Sequence, residues 1–125
     1  MAGENPFPLL AGDDDPFPLA VTVKQQVTGK WVKGKGSYLA VQIGPFVELV
    51  ATGTLNYLNA EARLVKSPLT IFPPIYGLFF FIPEIGLPAL KPFTVMASFF
   101  SKDAVKSVTV YDADGKHDVP VVQAP

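Results

Sequence analysis

At 125 residues the chain has room for one domain with a core, but not for two. It is 49% hydrophobic and 17% charged with a formal net charge of -1, which excludes disorder over most of its length and removes the electrostatic basis for binding nucleic acid. With no Cys and one His, His117, it excludes disulfides, thiolate or multi-histidine metal centres and cysteine nucleophiles, and no cofactor is expected.

Thirteen prolines are spread along the chain, and ten Phe stand against one Trp and four Tyr. Proline interrupts helices, so this distribution argues against a helical protein. No signal peptide is read at the N-terminus, because Glu4 and Asp13–Asp15 fall where a basic region and an apolar region would lie. Cytoplasmic location is the default expectation, and the compartment stays unknown.

Residues 1–18 read as an extended, proline-rich arm ahead of a single domain over 19–125. Pro-Phe-Pro-Leu occurs twice, starting at Pro6 and Pro16, and alternate prolines hold the backbone extended. Phe7 and Phe17 either lie over apolar surface or dock on a neighbouring subunit. From Leu19 the pattern alternates, with Val21, Val23 and Val27 opposite Thr22, Lys24 and Gln26, as in a half-covered strand. Thr28-Gly29-Lys30 signals a turn, and Lys33-Gly34-Lys35-Gly36 a flexible break.

Tyr38 to Ile43 reads as a strand closed by Gly44-Pro45, and Phe46 to Leu58 as another, with Gly53 marking a bulge, kink or turn. Asn59-Ala-Glu-Ala-Arg-Leu-Val-Lys66 is the one candidate helix, with Asn59 as its cap. Ala60, Ala62 and Leu64 also alternate against Glu61 and Arg63, and the strand is preferred. Residues 68–92 hold six prolines and two charges, and none of Ser67 to Pro83 is charged. Pro73-Pro74, Gly77 and Pro83 divide the run and argue against a membrane-spanning helix. Alternation returns with Phe93, Val95, Ala97 and Phe99. Val105 to Tyr111, the turn Asp112-Ala-Asp-Gly-Lys116 and His117 to Val122 form a terminal hairpin, with Gly115 where positive φ is needed. Six to eight short strands with turn signals every roughly 8–12 residues predict an all-β single domain: an antiparallel β-sandwich or small flattened barrel with at most one short helix.

Asp112, Asp114 and Asp118 gather beside His117, but the spelling departs from a Ca²⁺ loop and no further His or Cys is present to hold a transition metal. Turn chemistry accounts for these carboxylates. The lysines around Trp31 are similar to the first strands of cold-shock and OB-type barrels, but the paired aromatic motif is missing and no nucleic-acid partner is expected. No nucleophile elbow, phosphate loop or dinucleotide fingerprint occurs, so no catalytic residue is proposed. Glu48 should point away from Val47 and Leu49, with Arg63 as its available guanidinium partner if that face is covered.

Phe79-Phe80-Phe81-Ile82 cannot all face one side of a strand, so some rings should reach solvent unless both faces are covered. The first expectation is therefore a non-catalytic, self-associating structural or binding module. Its interface would lie around residues 72–82, with Tyr76, Phe79, Phe80, Phe81 and Ile82 joined by Phe7 and Phe17. The alternative is a small barrel binding an apolar small molecule, with Tyr38, Glu48, Tyr57 and Arg63 as polar groups of its pocket. A membrane-contacting loop over 68–92 is the third reading.

Overall fold

The computed structural model describes residues 28–125. The arm over 1–18, with Phe7 and Phe17, and the alternating stretch 19–27 lie outside the described residues. Eight strands follow in chain order: β1 (Gly29–Lys33), β2 (Ser37–Ile43), β3 (Phe46–Tyr57), β4 (Glu61–Lys66), β5 (Ile75–Pro83), β6 (Pro88–Phe100), β7 (Ser107–Asp112) and β8 (Gly115–Gln123). There is no helix among the described residues. The all-β fold expected from the sequence is the observed one.

The strands form one curled sheet in the order β1-β5-β7-β8-β2-β3-β6, with β4 also on β5. Most neighbours are antiparallel, but β2 with β8 and β5 with β7 pair in parallel over short ladders. The long chain connections between the members of each pair permit this. The curl lets β8 belong to two layers. One holds β4, β5, β1 and β7, the other β2, β3 and β6, and their inner faces share the core. Ala40, Val47, Leu49 and Ala51 from the second layer and Leu78, Val108 and Val110 from the first are fully buried there.

Local chemistry explains the element boundaries. Asn59 caps no helix. Its Nδ2 donates to the Ile85 carbonyl and its Oδ1 accepts from the Leu87 amide, so it ties the β5–β6 loop to the end of β3. With that side chain engaged, Ala62 and Leu64 turn into the core and Glu61 and Arg63 outward, as strand alternation requires. Gly53 marks no bulge. It lies in register opposite Phe93, and the register shifts later, between Leu55 and Tyr57. A Cβ at Gly53 would stand 2.7 Å from the Phe93 ring, so glycine is there to let that ring lie across the strand.

The 101–106 connection is held by buried Gln42. Its Oε1 accepts from the Val105 amide at 2.9 Å and from Gln123 Nε2 at 3.0 Å, and its Nε2 donates to the Asp103 carbonyl. The Phe72–Pro73 peptide bond is cis.

Candidate functional site

The aromatic run of β5 lies inside the molecule. Tyr76, Phe79 and Phe81 are 4%, 3% and 7% exposed. Tyr76 joins the core with Val108 and Val110, and Phe80 packs inward, its ring 5.3 Å from Phe93 in an edge-to-face arrangement. Phe81 faces the other way, 5.5 Å from Trp31, and the Arg63 guanidinium lies 5.1 Å from the same indole. Ile82 is half-buried beside a shallow groove of about 350 Å³ with Gly29, Lys30 and Glu84. The expectation of solvent-facing rings over 72–82 is corrected at these positions. β5 has β4 on one edge and β1 and β7 on the other; Tyr76, Leu78 and Phe80 face the shared core, and Phe79 and Phe81 are buried on the opposite face, where Phe81 meets Trp31. Of the large hydrophobic residues in that stretch, Phe72 is the one left exposed.

The four polar residues assigned to a pocket do not converge. Arg63 pairs with Glu61 at 3.3 Å on the outside of the first layer. Glu48 stands on the outer face of the second, opposite Val47 and Leu49, and makes no bond to Arg63. Tyr57 packs against Gly86. Tyr38 points inward, into a network that the sequence left as turn chemistry.

That network centres on Asp112, which is 2% exposed. Tyr38 donates a short hydrogen bond to Asp112 Oδ2, and His117 Nε2 lies 2.8 Å from Oδ1. The Asp114 amide donates to the same Oδ1 at 2.8 Å, which is the turn role expected for an aspartate here. Gly115 follows with φ of 113°, as anticipated. With the carboxylate as acceptor, His117 carries its proton on Nε2. Burial and then the Asp112 carboxylate push the Tyr38 phenol well above the usual tyrosine range. Chemically the arrangement is closed: three donors satisfy one buried acceptor, and no nucleophile joins them. It pins the β7–β8 hairpin to β2. The alternation of β7 carried the signal, because Asp112 has the parity of buried Val108 and Val110. Among the described residues no group of three His, Asp or Glu is placed to hold a metal ion.

Exposed large hydrophobic residues lie in connections between strands, as at Leu58, Phe72 and Ile85, and as a continuous group on the outer face of β2, β3, β6 and β8. Cross-strand register builds it in rows: Leu39, Val50 and Met96; Val41, Glu48 and Ser98, with Val122 beside Val41; Ile43, Phe46 and Phe100. Leu39, Ile43, Phe46, Met96, Phe100 and Val122 are each more than half exposed. The Phe46 and Phe100 rings meet edge-to-face at 5.9 Å. At roughly 100 Å² apiece these six side chains present on the order of 600 Å² of apolar surface, the upper end for a solitary domain. The signal lies in β2, whose Leu39, Val41 and Ile43 are apolar on the parity opposite buried Ala40, and in Phe46 and Val50 on the outer parity of β3.

No helix among the described residues is long and apolar enough to cross a membrane. No protein-family model, no curated protein and no solved structure matches the chain.

Proposed function

We propose that the chain is a non-catalytic, self-associating module that meets a second copy of itself through the outer face of β2, β3, β6 and β8. The observation that carries this reading is the patch itself. Six large apolar side chains stand in adjacent register rows on one layer and are more than half exposed. With Val41, Val50 and the polar rim, the face approaches the roughly 800 Å² per partner of a standard interface. Leu49, Leu78, Tyr76 and Phe93 pack in the interior of the curled sheet, which supports this reading over that of a carrier for an apolar small molecule.

Sedimentation of the purified, untagged chain tests the proposal. A discrete oligomer that falls to monomer in the double variant Leu39→Lys with Phe46→Lys, with the fold retained, is the expected result. A monomer at all concentrations overturns it. So does a monomer that co-purifies with a small apolar molecule, or that floats with liposomes.

A further inference from the structure

We propose that a further copy attaches along the edge of β6 that is unpaired among the described residues, strand to strand and antiparallel, so that one sheet runs through both copies. This inference rests on the self-association reading and adds a second contact, which extends the apolar outer face and does not cover it. Among the described residues β6 ends the strand order, with β3 on one edge and no strand hydrogen-bonded to the other. β4 comes near its beginning, where Lys91 Nζ donates to the Leu58 and Ala60 carbonyls across the gap. From Phe93 to Phe100 the backbone bonds only β3 among the described residues. Phe72 reaches the inward ring of Phe99 edge-to-face at 5.6 Å but makes no backbone bond to the strand.

The two ends of the sheet are built differently. β4 carries Glu61, Arg63 and Lys66 along its six residues, the charges that protect an edge from pairing. Between Pro92 and Ser101, β6 has no charge, no proline and no shift of register against β3. An edge of this kind is a template for another strand, and its own sequence is a suitable one. An antiparallel pair about a two-fold axis normal to the sheet at Met96 sets Thr94 opposite Ser98 of the second copy. Both hydroxyls and Met96 stay on the outer face. Phe100 and Met96 of the two copies then continue one apolar face across the junction, which ties this contact to the surface described above.

Two measurements on the full chain test it. In hydrogen exchange read by mass spectrometry above and below the association midpoint, the amides of 93–100 that do not bond β3 should slow at least tenfold in the assembled state. The chain has no cysteine, so single-cysteine variants report cleanly. A mixture of Thr94→Cys and Ser98→Cys should cross-link under mild oxidation at least tenfold more than either variant alone. An oligomer with neither protection over 93–100 nor the mixed cross-link overturns edge pairing and leaves self-association standing. A chain that is monomeric throughout overturns both.

Discussion

β5 and β6 are the two most aromatic strands of the molecule, and they meet opposite fates. β5, Ile75–Pro83, has no charged residue and is bonded on both edges, and Tyr76, Phe79 and Phe81 are buried. β6 alternates in the ordinary way and among the described residues is bonded on one edge, and its outward Met96 and Phe100 are open. Hydrophobic density along the chain therefore does not indicate where apolar surface is exposed. What lies over each face does: β2 and β3 are bonded on both edges like β5, yet their outward Leu39 and Phe46 are open while Phe79 and Phe81 on β5 are buried.

The comparison can be broken most sharply in the core. Leu78→Ala, at a fully buried β5 position, should lower unfolding free energy by about 3 kcal/mol in a urea titration. A loss under about 1 kcal/mol would mean that β5 is less tightly covered than described. The Asp112 pin comes next. Asp112→Asn leaves at least one of Tyr38, His117 or the Asp114 amide without its acceptor, and about 2 kcal/mol should be lost by the same measurement.

Alkaline pH probes the same inner face. Burial raises Tyr76 as well as Tyr38, and for Tyr38 the Asp112 hydrogen bond adds to it. A phenol whose folded pKa exceeds its unfolded value near 10 contributes stability that is complete below that value. Above it the unfolded chain releases a proton that the folded chain keeps, so stability should fall as pH rises past about 10. Tyr38→Phe should flatten that fall in urea midpoints taken across the alkaline range; an unchanged slope would place the phenol outside the network. Gly115→Ala, with open space around it but φ in the left-handed region, should cost about 1 kcal/mol. The smallest effect belongs to the outer face: Met96→Ser should change monomer stability by no more than about 0.5 kcal/mol in dilute protein. A larger loss would show that Met96 already has cover within its own chain.

Much of the fold was legible locally. The strand over Ala60–Lys66, the alternation from Phe93 and the turn at Gly115 follow from side-chain period and turn chemistry. Their failures are instructive. Gly53 reads as a break because glycine weakens strands, yet here it admits the Phe93 ring from the next strand. The candidate site was read largely from β5, the longest apolar run, whereas the exposed rows combine residues as far apart as Leu39, Met96 and Val122.

By itself the sequence determined an all-β chain without thiol, multi-histidine or motif-based chemistry, because composition, proline spacing and period-two alternation act within a few residues. Only the tertiary structure decided which apolar parity is core and which is surface. It alone brought Tyr38 to Asp112 and set β6 at the end of the sheet among the described residues. Those outcomes depend on strand order, and strand order is set by pairings between segments tens of residues apart, each with edges that several partners could satisfy.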